Sequence, residues 1–261
     1  MRTTLICTAI LAVCALPASA EDYGTIKGKV VFSGNKIPPV GTQNVTKDQQ
    51  HCLGKGPILK DDLLIDANSK GVKNVMIWLA DAPDGKIDSK RINPKLAAVP
   101  ATPIIIDQPR CAFVPRITMM RAGQPLEIHN SAPVAHNTRI SGNPEVNGTV
   151  NLNIPPGQKI VRAGATALKA EKRPLLVNCD IHGWMGGRIG VFNHPYFAIT
   201  KEDGSFEIKD VPAGKILIFM QHERAGWLQK GRNSKGESID VPAGGTLDLG
   251  TIKFKPEYLN E

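Results

Sequence analysis

An all-β protein is what this sequence predicts, on three observations. Short apolar or alternating runs recur along the chain, clusters of Gly, Pro, Asn and Asp separate them, and few windows carry a helical apolar period. The 25 Gly and 20 Pro supply the tight turns that a sandwich or barrel needs. The best helical window, LKAEKR at residues 168–173, is short.

The elements follow in order. MRTTLICTAILAVCALPASA places Arg2 before an apolar run and then Ala18-Ser19-Ala20, the pattern of a secretory signal peptide cleaved after Ala20. Its apolar stretch is shorter than the roughly 20 residues of a spanning helix. Val13 is bulky where lipidation of Cys14 would want a small residue. No later stretch is apolar enough to span a membrane, so residues 21–261 are expected to be soluble and periplasmic or secreted. TIKGKVVF (25–32) and NVMIWLA (74–80) read as strands of the first part. TPIIID (102–107), RITMM (116–120), PLEIHN (125–130), LLVNCD (175–180) and RIGVF (188–192) follow in the centre, and FEIKDV (206–211) and KILIFMQ (215–221) near the end.

Charge excludes some functions. The formal net charge of +8 falls by one when Arg2 leaves with the signal. Lys and Arg are interleaved with other residues, as in KDDLLIDANSKGVK, and form no long basic run, so the reading is a solvated face suited to acidic partners and not to nucleic acid. No Gly-rich phosphate loop, nucleophile elbow or carboxylate pair in an active-site setting is present, and an enzyme is not expected.

Cysteine arithmetic comes next. Cys7 and Cys14 belong to the signal, leaving Cys52, Cys111 and Cys179, an odd number. In an oxidising compartment two would pair and one would remain as a thiol or ligand. Cys179 has metal-binding neighbours: VNCDIHGWMGG (177–187) places Cys179, His182 and Met185 three residues apart. Cys52 and Cys111 are then the disulfide candidates.

A further histidine comes from the preceding region. CAFVPRITMMRAGQPLEIHNSAPVAHNTRI (111–140) reads as strand, turn at Gly123, strand, and a loop to His136. The resulting set is His136, Cys179, His182 and Met185. Two imidazoles and a thiolate with a weak axial thioether suit one copper ion in both oxidation states, because sulfur favours Cu(I) and nitrogen accommodates Cu(II). Zinc competes, but its sites rarely recruit methionine. A buried thiol, a surface His and a core Met falling at this spacing by chance is the bland alternative.

FVPRI, RAGQPLEIHNSAPVAHN and VNCDIHGWMGGRIGVF stand where the cupredoxins, the blue-copper β-sandwiches, have strands and ligand loops, and residues 100–193 resemble that family. The Cys-x2-His-x2-Met spacing resembles the short loop of its amicyanin branch and is shorter than the plastocyanin loop. The resemblance implies a Greek-key β-sandwich with His136, Cys179 and His182 as equatorial ligands of a type 1 copper and Met185 as the axial one. It also implies that Asn137 ties the two ligand loops together. Gly183 stands where amicyanin has a proline after its loop histidine, a departure that touches the potential and protonation of His182 rather than copper binding.

Residues 21–99 and 194–261 have another likeness. GTIKGKVVFSGNKIPP with GVKNVMIWLADAP, and HPYFAITKEDGSFEIKDVPAGKILIFMQHE with its hairpin at Asp203-Gly204, resemble the two halves of a carboxypeptidase-regulatory-like, transthyretin-type sandwich. The expected architecture is a cupredoxin sandwich inserted in, or flanked by, a second small sandwich, as in secreted proteins of the methylamine utilization type. Three consecutive β modules are the simpler alternative.

Other residues read more plainly. His51 beside Cys52 cannot complete a site, and His129 reads as a packed or solvated strand residue. His194 and His222 read as structural, with a second metal site the remote alternative. Met119 and Met120 face opposite ways on one strand, so at most one is expected in the core. Trp184 either lines the approach to His182 or covers the loop, and Asn44 and Asn147 head glycosylation sequons.

Electron transfer is the leading expectation, with His182 as the exposed edge facing an acidic c-type cytochrome or dehydrogenase. Copper storage or delivery without redox turnover is one alternative. The other is an extracellular carbohydrate- or protein-binding sandwich whose copper site is not essential.

Overall fold

The computed structural model describes residues 22–259, so the expected signal peptide, with Cys7 and Cys14, lies outside the described residues. The first part of the chain forms β1 (Tyr23–Phe32), the short helix α1 (Gln49–Cys52) and β2 (Met76–Ala80). The centre forms β3 (Ile104–Ile106), β4 (Ile117–Arg121), β5 (Leu126–His129), β6 (His136–Ser141), β7 (Thr149–Ile154), β8 (Lys159–Arg162), β9 (Leu175–Asn178) and β10 (Gly186–Phe192). The last part forms β11 (Phe197–Ile199), β12 (Ser205–Pro212), β13 (Gly214–His222), β14 (Gly226–Trp227), β15 (Glu237–Val241) and β16 (Thr246–Phe254). The chain is all-β, and LKAEKR forms no helix.

Four sheets result. β1 lies between β12 and β16, and β2 lies between β11 and β13, with β14 and β15 also on β13. These two sheets therefore join strands from both ends of the chain and enclose a core that includes Ile26, Val30, Ile77, Leu79, Tyr196 and Phe206. Gly204, at φ +81°, allows their closest turn: a Cβ there would lie 2.1 Å from the Val30 carbonyl oxygen. The other two sheets, β3-β5-β8 and β4-β10-β9-β6-β7, belong to the centre alone. Their core includes Met120, Ile128, Ile140, Val177, Ile189 and Val191.

Two packing features depart from the sequence expectations. Met119 and Met120 do face opposite ways on β4, yet both are buried. Met120 fills the central core, while Met119 packs on the opposite face of β4 with Trp78, Phe192 and Phe219. The expectation that only one is in the core fails because β4 has protein on both faces. In addition, Val45, Cys52 and Ile58, from the first part of the chain, are buried in the central core and not beneath β1 and β2. Residues 42–60 thus form a strap across the central sandwich, beside the centre described next.

Candidate metal centre

The centre lies at one end of the sheet β4-β10-β9-β6-β7. β6 starts at His136, β9 stops just before Cys179, and β10 starts just after Met185. β6 and β9 run antiparallel with Arg139 opposite Asn178, which brings His136 level with the loop after Cys179. Within that loop the Met185 amide donates to the His182 carbonyl at 2.9 Å, and the Cys179 amide to the Met185 carbonyl at 3.4 Å. Gly187 lets β10 run beside β4, because a Cβ there would meet the Arg116 carbonyl oxygen at 2.6 Å.

Three donors converge. Cys179 Sγ lies 4.0 Å from His136 Nδ1 and 3.9 Å from His182 Nδ1, and the two Nδ1 atoms are 3.0 Å apart. A triangle with these sides has a point about 2.1 Å from every corner, within the ~2.0–2.3 Å at which imidazole and thiolate bind a first-row metal. His136 and His182 are fully buried, and Cys179 and Met185 are each 2% exposed. Met185 closes the loop and shares the Cys179 core. The structure brings His136, Cys179 and His182 together, and a pair of imidazole nitrogens with one soft sulfur in a dry site fits copper.

The surroundings keep these donors ready. Burial, reinforced by the neighbouring imidazoles of His182 and His51, pushes His136 down from 6.5 to about 4, so it remains a neutral lone-pair donor at pH 7. Asn137, 2% exposed, ties the Cys179 loop to β6. Its Oδ1 accepts from the Asp180 amide at 2.8 Å and the Ile181 amide at 3.1 Å, and lies 3.3 Å from Cys179 Sγ. Its Nδ2 donates to Asn151 and Asp180 at 2.7 and 3.2 Å.

His182 corrects one expectation: it is not an exposed edge. The strap covers it, and His182 Nε2 lies 2.8 Å from Asp48 Oδ2. Cys52 and Cys111 form a disulfide, with Cα atoms 5.5 Å apart, and their sulfurs lie within 4.8 Å of a His182 ring nitrogen. Trp184, half-buried, packs against the central core beside the loop. Its ring meets His182 edge-on at 5.1 Å, and its Nε1 donates to the Cys111 carbonyl at 3.1 Å.

The remaining candidates lie elsewhere or act structurally. His129 is half-buried and pairs with Glu127 at 2.7 Å, on a strand where Lys159 also reaches Glu127. His194 and His222 are buried away from the donor cluster, and each accepts an amide hydrogen bond on Nδ1 at 3.2 Å, from Tyr196 and Arg224. His51 is half-buried beside the centre, and its Nε2 has no hydrogen-bond partner. Asn44 is exposed, whereas the Asn147 side chain is engaged by Lys169 and Glu171. Asp48 is the residue that sequence reasoning missed, and the 134 positions between it and His182 leave no local spacing to find it by.

Comparison with known proteins yields partial likenesses. No protein-family model matches the sequence, and no curated protein is similar to it. A reduced variant of amicyanin is similar to 36% of this chain over 87% of its own length, at 16% identity and a TM-score of 0.30. A purple cupredoxin from Nitrosopumilus maritimus is similar over 33% of this chain and 97% of its own, at 16% identity and a TM-score of 0.27. The copper-containing nitrite reductase of Thermus scotoductus SA-01 is similar over 38% of this chain but 26% of its own, at 18% identity and a TM-score of 0.30.

Proposed function

We propose that this protein is a type 1 copper protein that transfers single electrons, with a cupredoxin-type domain carrying the centre. The convergence of His136 Nδ1, His182 Nδ1 and Cys179 Sγ in a dry pocket is the observation that carries this reading. Met185, whose amide donates to the His182 carbonyl, would supply a fourth, thioether donor to the copper. Copper bound there supplies one-electron exchange between Cu(I) and Cu(II).

The chain's own residues make that exchange economical. Asn137 holds the Cys179 loop against β6, so the donors keep one geometry in both oxidation states. Burial keeps water from competing for the metal. With Met185 in place, four protein donors leave no open position for a substrate, which supports a carrier and not an enzyme. Trp184, half-buried against His182, is the proposed route by which an electron reaches the surface.

The pairing of β1 with β12 and β16, and of β2 with β11 and β13, supports insertion of the copper domain, residues 100–193, into a sandwich built by residues 21–99, apart from the strap 42–60, and 194–261. Proteins of the methylamine utilization type are proposed to share this plan. An acidic c-type cytochrome or dehydrogenase outside the cytoplasm is the proposed partner, on the strength of the basic charge and the N-terminal signal pattern. Among the described residues no helix is long and apolar enough to cross a membrane.

A second reading, copper storage or delivery without turnover, draws on the full burial of both imidazoles. The site itself is tested by titrating residues 21–261 with Cu(II), alongside Cys179→Ser. One equivalent should give an intense visible band and a narrow copper hyperfine pattern, both lost in the variant. Weak colour, or colour that survives the substitution, would rule out thiolate ligation.

A further inference from the structure

We propose that Asp48 is a positioning residue for His182: delivered by the disulfide-fastened strap, its carboxylate holds the ring from outside and biases the centre toward Cu(II). This rests on the copper reading above and goes beyond the ligand set.

The use of the Asp48 side chain is unusual for its place in the chain. Asp48 occupies the N-cap of α1, where an aspartate normally accepts hydrogen bonds from the first helical amides. It makes no such bond here. Its backbone also sits in the left-handed region, at φ 48°, a conformation that disfavours most non-glycine residues. Oδ2 instead lies 2.8 Å from His182 Nε2, the imidazole being fully buried and the carboxylate one-third exposed.

The contact selects a tautomer. An ionised carboxylate can only accept a hydrogen bond, so Nε2 carries the proton and Nδ1 turns its lone pair toward Cys179 and His136. A carboxylate behind a ligating histidine also makes the imidazole a stronger donor. Negative charge on that side stabilises the more positive metal state, Cu(II), over Cu(I).

The strap provides a firm mount. The Cys52–Cys111 disulfide fastens it four residues after Asp48, and Val45 and Ile58 are buried in the same core as Cys179. The Gln43 amide donates to the Ile58 carbonyl at 2.8 Å, closing the segment on itself. Arg110 Nη2 donates to the Gly56 carbonyl at 2.7 Å, tying the far end to the region before β4. A carboxylate mounted this way holds its place through a redox cycle.

The test compares residues 21–261 as wild type, Asp48→Asn and Asp48→Ala. Cu(II) and Cu(I) affinities are measured separately by chelator competition, and folding is checked by circular dichroism. Asp48→Asn keeps the size and a hydrogen-bond acceptor but removes the charge. Its Cu(II) affinity should fall by about 10–100-fold while Cu(I) affinity stays close to wild type. The reduction potential then rises by about 59 mV for each tenfold change in that ratio. Asp48→Ala should show the same bias with a further loss in both states. If Asp48→Asn matches wild type, or loses both affinities equally, the proposed bias is wrong and the contact only packs. A wild-type chain that binds no copper through Cys179 overturns the copper reading and this one together; a wild type that binds it beside an unaltered Asn variant overturns this one alone.

Discussion

Asn137 and Asp180 are joined twice, although 43 residues separate them: Asn137 Oδ1 accepts from the Asp180 amide at 2.8 Å, and Asn137 Nδ2 donates to Asp180 Oδ2 at 3.2 Å. The same Oδ1 takes the Ile181 amide, so one side chain holds the start of the ligand loop. Asn137→Ala should leave two amides without a partner and cost about 1–3 kcal/mol of stability. Copper affinity should drop about 10–100-fold, because the loop no longer holds Cys179 in register. Chelator competition and thermal unfolding read the two effects. Unchanged affinity would mean that the loop holds its shape without Asn137.

Arg116 pins three segments at once. Its guanidinium contacts Glu223 through Nε at 2.7 Å and Nη2 at 2.9 Å, and contacts Asp61 through Nη1 at 2.7 Å. Burial works against the charge, but Glu223, Asp61 and Asp62 outweigh it and hold Arg116 above its ordinary value. Arg116→Met should cost about 3 kcal/mol, since Glu223 is left largely buried without its counter-charge. Denaturant unfolding followed separately at the copper band and by circular dichroism should show the two signals parting, as the segments carrying Asp61, Arg116 and Glu223 lose their shared clamp. Coincident transitions at the wild-type midpoint would contradict this.

His222 gives the metal-free protein an acid weakness. Burial pushes it from 6.5 down to about 4, with Asp62 opposing and Arg224 and Arg116 adding to the shift. Between these values the unfolded chain takes up a proton that the folded chain refuses. Stability therefore falls as the pH drops from 6.5 to about 4. His222 alone accounts for about 3 kcal/mol of that loss. His194, pushed down to about 3 mainly by burial, acts in the same direction. Denaturation midpoints of the metal-free chain at several pH values test this, and His222→Gln should flatten the dependence. A wild-type midpoint that does not move over this range would refute it.

Removal of the disulfide isolates the strap. Cys52 and Cys111 are 59 residues apart, and releasing a loop of that length costs about 4 kcal/mol on chain entropy. The double variant Cys52→Ala/Cys111→Ala should lose stability on that scale. Amide exchange of residues 42–60 should quicken more than that of β9 and β10, because the strap has lost its fastening. Uniform exchange across both would show that the strap is held by its apolar contacts alone.

Much of the centre was legible because its donors lie at strand ends. Cys179, His182 and Met185 share one loop between β9 and β10, so their spacing in sequence survives in space. Asn137 follows His136 directly, and the disulfide emerged by eliminating the cysteine with metal-binding neighbours. The cover over His182 was not legible. Residues 42–60 belong to the first part of the chain, and only tertiary packing carries Asp48 across to a histidine in the centre. Met119 was misjudged for a related reason: alternation along one strand cannot reveal that Trp78 and Phe219, from distant strands, cover its outer face.

The central claim is that the site passes single electrons, and spectroelectrochemical titration of the copper-loaded chain, residues 21–261, tests it most directly. A single reversible one-electron transition is expected, with the visible band bleached on reduction, fully restored on reoxidation, and no copper released over repeated cycles. Loss of the metal on reduction, or a band that does not return, would contradict electron transfer and favour storage or delivery.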